Sequence, residues 1–270
     1  MDYLKTKINM LDFFKKVFQK DQNYNLVISW WWTKWFYALG ILKWLESLGL
    51  KEKIKVVYWV SIWAMIGAYR CNWYSADEIF NKFIDFNIFW LTKFNFFPKI
   101  SLLRNTSLKN HFEEDLPDSF EKLNKKLYIG ATDTNTGKFI LFNTWVVIEP
   151  LLGSIAIPWI FPNIKYKSYN LIDWGTTNNF PVDMANKEYP QNKTIWINLN
   201  KFTENQKIKT IFDTLSVSLE ILLRNRAMLK SDKVDYLFYT DTWLKILDTK
   251  SSKMKKAFEK GYIDCLAKFK

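Results

Sequence analysis

Short apolar runs alternate along this chain with longer stretches in which apolar residues recur at helical spacing. Runs rich in Val, Ile, Leu, Phe and Tyr predict strands at residues 25–29, 55–58, 127–132, 138–142, 169–172, 194–199 and 234–239. Helical spacing predicts helices at residues 36–47, 62–71, 147–154, 204–230 and 252–269. Because strands and helices alternate, we predict an α/β fold with a mostly parallel central sheet flanked by helices.

The first residues of the chain predict a separate amphipathic helix. The apolar residues that share one of its faces are Leu4, Ile8, Leu11, Phe14, Val17 and Phe18, and lysines occupy much of the rest. We therefore divide the chain into an N-terminal amphipathic helix at residues 1–24 and a single domain at residues 25–270. Such a helix packs on the domain or lies on a membrane surface, and we expect the former.

Local signals define the ends of two helices. Gly49 follows the helix at residues 36–47 and suits the left-handed position that commonly ends a helix. Ser75, with Asp77 and Glu78 after it, predicts the N-cap of a further helix. In the long helix predicted at residues 204–230, the side chains expected to point inward are Ile208, Ile211, Phe212, Leu215, Leu219 and Leu222.

Residues 55–69 combine a buried strand, a sharp turn and a helix rich in small residues. Ser61, in the turn, stands where a nucleophile elbow places its catalytic residue, at the corner between strand and helix. Such a corner normally has the sequence Gly-x-Ser-x-Gly, because its strained turn and its close strand-to-helix packing leave no room for side chains. Here Trp59 and Trp63 occupy the two glycine positions.

Several stretches together resemble the patatin-like phospholipases, a family of serine acyl hydrolases. The family's Gly-Gly-Gly-x-Arg/Lys-Gly loop is matched by residues 30–35, Trp-Trp-Trp-Thr-Lys-Trp, and its Gly-x-Ser-x-Gly-Ala elbow by residues 59–64. Its Ser-x-Ala-x-Pro-x-x-Phe-Pro segment is matched by residues 154–162, and its Asp-Gly-Gly and Asn-x-Pro motifs by residues 173–182. The resemblance implies a patatin-like three-layer fold.

The resemblance also implies roles for individual residues. Ser61 is expected to be the nucleophile, and Asp173 its partner in a Ser-Asp dyad. The residues expected to form the oxyanion hole, through backbone N–H groups and one positive charge, are Trp30, Trp31, Trp32 and Lys34. The single histidine, His111, is not needed in a dyad, and its polar neighbours predict a surface position.

Tryptophan takes the place of glycine throughout the matched region. The positions concerned are Trp30, Trp31, Trp32, Trp35, Trp59, Trp63, Trp73, Trp159 and Trp174. The chain has 8 glycines and 14 tryptophans among 270 residues, whereas an average protein of this length has roughly 19 glycines, about 7%. We interpret the tryptophans as the product of UGA codons that the cell reads as glycine. The alternative is a degenerate, inactive family member whose indoles insert into a membrane interface.

The charge and the cysteine content limit which membranes, nucleic acids, metals or cofactors we expect this protein to bind. The net charge of +12 comes mostly from lysines scattered among Asp and Glu; it suits an anionic membrane, although the base composition of an AT-rich gene is the simpler explanation. Nothing in the spacing supports a nucleic-acid module. With two cysteines, Cys71 and Cys265, and one histidine, the sequence offers neither a disulfide framework nor a metal cluster, so we expect no metal and no cofactor.

The sequence thus predicts a lipid acyl hydrolase, either a phospholipase of A type or a lipid esterase, that forms an acyl-enzyme. Its expected partner is a phospholipid or another lipid ester. The longest uncharged run, residues 56–69, is too short to span a membrane, and no secretory signal is evident. We therefore expect a cytoplasmic protein, with peripheral membrane contact left open. The alternative function is that of a catalytically inactive patatin-like protein that binds lipid or membrane.

Overall fold

The computed structural model describes residues 21–29, 34–84, 101, 104–158, 160–173, 181–199, 229–239 and 250–268, and scattered positions from 208 to 225. The amphipathic helix predicted at the N-terminus falls almost wholly outside these residues. In the described part of the chain, no helix combines the length and the apolar character needed to cross a bilayer.

A mixed sheet forms the centre of the fold. Its strands are β1 Tyr24–Ser29, β2 Ile54–Val60, β3 Lys126–Asp133, β4 Lys138–Phe142, β5 Ile164–Tyr166, β6 Tyr169–Ile172, β7 Lys193–Asn198 and β8 Tyr236–Tyr239. They follow the order β5-β6-β3-β2-β1-β7-β8, and β4 pairs with β3. The run from β3 to β8 is parallel, while β4, β5 and β6 pair antiparallel. This arrangement confirms the predicted, mostly parallel sheet.

Helices cover both faces of this sheet. Within the described residues they are α1 Trp35–Ser47, α2 Ile62–Cys71, α3 Ala76–Phe83, α4 Thr106–Asp115, α5 Ile148–Ser154, α6 Val182–Glu188 and α7 Ser251–Lys268. Alternate residues of β1 belong to the two helical layers on opposite faces of the sheet. Leu26 and Ile28 lie in the larger buried cluster, which includes α1 and α2, whereas Val27 lies in a smaller cluster with Val182 and Ala185 of α6. The predicted three-layer fold is therefore confirmed.

The predicted helix ends are also present. Gly49 follows α1 with φ +76, and the N–H of Leu50 donates to the carbonyl of Leu45 at 3.1 Å. Ser75 caps α3, where its hydroxyl accepts the N–H of Glu78 and the Glu78 carboxylate accepts the N–H of Ser75. These local motifs form because each provides hydrogen-bond partners for the unpaired backbone groups at the end of its own helix.

The structure corrects one prediction and adds elements that were not predicted. Ile208, Ile211 and Leu222 are exposed, so the prediction that they point inward is wrong; Phe212, Leu215 and Leu219 lie outside the described residues. Helical spacing identifies an apolar face but not the surface that would cover it. The short strand β5 and helix α6 were not predicted, because neither has a periodic apolar pattern long enough to detect.

Candidate active site

Ser61 occupies the sharp corner between β2 and α2. Its backbone has φ 58 and ψ −144, a conformation that residues with a side chain rarely adopt. The carbonyl of Ser61 accepts the N–H of Ala64 at 2.9 Å, which begins α2 directly after the serine. The hydroxyl therefore lies at the N-terminal end of a helix, where the backbone dipoles produce a positive potential.

Asp173 lies beside this corner, directly after β6. The Ser61 hydroxyl donates a hydrogen bond to Oδ2 of Asp173. The Asp173 side chain is buried, with 7% of the residue exposed, and its backbone N–H donates to the carbonyl of Ala156 at 2.8 Å. The structure thus brings together the two residues that the resemblance paired.

The register of the strands explains how Ser61 and Asp173 come into contact although they are 112 positions apart in the sequence. In β3, Gly130 pairs with Val60, the residue before Ser61. Two positions later, Thr132 pairs with Ile172, the residue before Asp173. Strand β3 therefore aligns the end of β2 with the end of the antiparallel strand β6.

Ser154 also contacts the corner. This serine is fully buried at the end of α5, and its Oγ accepts the backbone N–H of Ser61 at 3.0 Å. Sequence reasoning included Ser154 in a family motif but gave it no role. The signal was its place in the Ser-x-Ala-x-Pro segment; its contact with Ser61 requires the tertiary structure.

The expected oxyanion hole is described only in part. Trp30, Trp31 and Trp32 lie outside the described residues. Lys34 is buried and immediately precedes α1, after the carboxyl end of β1. Since β1 and β2 are adjacent and parallel, the carboxyl end of β1 lies at the same edge of the sheet as Ser61, which follows β2.

Trp59 and Trp63, at the expected glycine positions of the elbow, are both fully buried. Their ring centroids are 6.1 Å apart, and the two indoles belong to the large cluster that includes β2 and α2. The Trp59 ring lies so close to Gly67 of α2 that a Cβ at Gly67 would collide with it. The indoles thus lie in the core between strand and helix and leave the bond between Ser61 and Asp173 intact.

The described part of the chain also contains two cysteines and one histidine, which are potentially reactive. Burial raises the pKa of the Cys71 thiol to about 12, which leaves it protonated and unreactive at neutral pH. Cys265 is also buried. His111 is half-buried on α4, with its Nε2 3.5 Å from Asp115 Oδ2. No group of three or more His, Cys, Asp or Glu side chains among these residues could hold a metal ion.

A serine at a strand–helix corner, hydrogen-bonded to a buried carboxylate on a mostly parallel sheet, has the geometry expected of a nucleophile elbow in an α/β protein. The family model for patatin-like phospholipases matches residues 33–186, more than half of the chain. The chain belongs to the patatin-like phospholipase family, as its motifs suggested. Among curated proteins, none has a sequence that matches it.

One solved structure, VipD, supports the fold, and a second, ExoU, matches more weakly. VipD from Legionella pneumophila superposes with a TM-score of 0.58 at 12% identity, over 92% of this chain and 67% of VipD. The type III effector protein ExoU gives a TM-score of 0.42 at 12% identity, over 92% of this chain and 53% of ExoU. The likeness to VipD supports the fold of the described residues.

Proposed function

We propose that this protein hydrolyses lipid acyl esters, as a phospholipase of A type or a lipid esterase, with Ser61 as nucleophile and Asp173 as general base. Membership of the patatin-like phospholipase family supports lipid hydrolysis as the activity. The observation that carries the residue assignment is the hydrogen bond from the Ser61 hydroxyl to the buried Asp173 carboxylate. A nucleophile and its base must be within hydrogen-bond reach, and this pair is.

The reaction proceeds in two halves. Asp173 takes the hydroxyl proton as Ser61 Oγ attacks the ester carbonyl carbon, and the tetrahedral intermediate collapses to an acyl-enzyme. The proton held by Asp173 passes to the departing alcohol oxygen. Water then attacks the acyl-enzyme while Asp173 takes a proton from it; that proton returns to Ser61 Oγ as the fatty acid leaves, and the enzyme is restored.

The oxyanion requires donors at the same edge of the sheet. Backbone N–H groups of residues 30–32 are proposed to bind it, assisted by the positive charge of Lys34 and by the N-terminus of α1. The buried position of Lys34 favours this role, because a charge acts more strongly where water is excluded. The proposed partners are phospholipids or other lipid esters, with no metal, cofactor or nucleic acid. The proposed location is cytoplasmic, with peripheral contact to a membrane.

Two variants test the dyad. With a short-chain ester as substrate, Asp173→Asn should lower kcat by about 10²–10⁴-fold, the usual contribution of a general base. Ser61→Ala should reduce turnover to background, and Ser168→Ala, an exposed serine outside the site, should leave it unchanged. Parent-like turnover in Ser61→Ala or Asp173→Asn would contradict the assignment.

An inactive lipid-binding protein is the second candidate. It is favoured by the buried indoles of Trp59 and Trp63, which fill the strand–helix interface at the elbow. In this case the parent protein would bind phospholipid vesicles without releasing fatty acid, and Ser61→Ala would bind them equally well. Fatty-acid release that depends on Ser61 would exclude this candidate.

A further inference from the structure

Two tryptophans have backbone conformations that suit glycine. Trp73 has φ 69 and Trp145 has φ 74. Among the described residues, the other non-glycine positions with positive φ are Ser61, at the elbow, and Lys167. A bulky residue in this region is a genuine outlier, because its Cβ crowds the following carbonyl oxygen.

Trp73 stands at the glycine position of a helix C-terminal motif. After α2, the N–H of Tyr74 donates to the carbonyl of Tyr69 at 3.2 Å, which is the hydrogen bond of a Schellman motif. Trp73, immediately before Tyr74, is therefore the left-handed residue, a position that is usually glycine. The end of α1 has the same arrangement, with Gly49 at the equivalent position and φ +76.

Trp145 lies in a loop whose backbone bonds are independent of its indole. Its carbonyl accepts the N–H of Phe120 at 2.8 Å, and its N–H donates to Glu121 Oε1 at 2.9 Å. Trp145 is 61% exposed and Trp73 is 41% exposed. Neither indole belongs to a buried hydrophobic cluster of the described residues, so core packing does not require tryptophan at either position.

Trp59 has a buried polar group that lacks a hydrogen bond within the described part of the chain. Its indole Nε1 is buried and has no hydrogen-bond partner among the described residues, although a buried tryptophan usually finds one. Its ring occupies the space between β2 and Gly67 of α2. Glycine at positions 59 and 63 would remove this unpaired donor and let α2 lie closer to β2.

We propose that the protein made by its own cell carries glycine at positions 59, 63, 73 and 145. Backbone conformation supports positions 73 and 145, the unpaired indole donor and the close contact with Gly67 support position 59, and the elbow motif supports position 63. The proposal adds Trp145, which no family motif covers, and it accords with the deficit of glycine in the chain. It does not rest on the proposed catalysis, because it concerns the identity of the residues, but glycine at positions 59 and 63 would remove the indoles that favour the inactive candidate.

Peptide masses test the proposal directly. The protein is purified from its own cells and digested, and the peptides that contain residues 59, 63, 73 and 145 are sequenced by mass spectrometry. Glycine at all four positions, encoded by UGA, is the expected result. Tryptophan at any of them, encoded by UGG, would overturn the proposal for that position.

A stability series tests the physical reason. At positions 73 and 145 of the full chain, the glycine variant should have a roughly 5- to 30-fold larger folding equilibrium constant than the alanine variant. The matched control is Ile263, which is exposed on α7, where alanine should be more stable than glycine. If alanine equals or exceeds glycine at 73 and 145, the left-handed positions do not require glycine and the physical argument fails.

Discussion

Two side chains fix the unusual backbone conformation of Ser61. Its hydroxyl donates to Asp173, and its N–H donates to Ser154, which is fully buried. A residue in a sparsely populated conformation persists only where its surroundings hold it there, and such residues concentrate at functional sites. Ser154 is therefore a positioning residue in the proposed reaction, since it contacts the backbone of the nucleophile.

Replacing Ser154 with alanine should lower kcat more than it changes KM. The substitution leaves the Ser61 N–H without its acceptor, at a cost of about 1–3 kcal/mol in the free energy of unfolding, and it loosens the elbow. Ser154→Thr, which keeps a hydroxyl, should restore part of kcat, and the exposed Ser168→Ala is the control. Steady-state kinetics and urea unfolding provide the measurements. A stable Ser154→Ala protein with parental kcat would show that Ser154 does not position Ser61.

At the scale of elements, α1 and α7 touch backbone to backbone. A Cβ at Gly40 of α1 would collide with the Phe258 carbonyl oxygen, and a Cβ at Gly261 of α7 would collide with the Tyr37 carbonyl oxygen. Glycine at both positions permits this close approach. The contact ties α7, from the end of the sequence, to the helix that follows β1 near the proposed site.

Gly261→Ala should therefore destabilise the protein. Alanine is normally more favourable than glycine inside a helix by about 1 kcal/mol, but here the added methyl group would push two backbones apart. We expect a net loss of about 1–3 kcal/mol in the free energy of unfolding, the usual range for overpacking. Urea unfolding followed by circular dichroism measures it, and Lys256→Ala, exposed on the same helix, should change it by less than about 0.5 kcal/mol. An unchanged or increased stability of Gly261→Ala would contradict the close contact.

At the scale of the whole molecule, charge is the most marked property. The chain carries +12 at neutral pH. A positive net charge attracts a protein to anionic lipid surfaces, and this attraction is screened by salt. Because the lysines are scattered along the sequence, the alternative is that they reflect base composition and confer no membrane affinity.

Vesicle sedimentation distinguishes these alternatives. We expect the protein to bind vesicles with anionic lipid several-fold better than neutral phosphatidylcholine vesicles. Raising the ionic strength from about 0.1 M to about 1 M shortens the screening length from about 10 Å to about 3 Å and should abolish the difference. Ser61→Ala should bind as the parent does, which separates binding from hydrolysis. Equal binding to both vesicle types at low salt would show that the net charge does not direct the protein to membranes.

The sequence by itself determined the strand–helix alternation, the ends of α1 and α3, and the position of Ser61 between β2 and α2. These features are local: apolar periodicity marks the elements, and Gly49 and Ser75 satisfy the backbone groups of their own helices. The resemblance then indicated Asp173, because its motif follows the elbow in the expected order.

Only the tertiary structure decided which distant residues meet. The contact of Ser61 with Asp173 depends on the register of β3, and that with Ser154 depends on the packing of α5. The left-handed backbone of Trp145 and the exposure of Ile211 likewise had no sequence signal. Periodicity reports what a segment can bury, whereas register and packing between segments determine what each residue contacts.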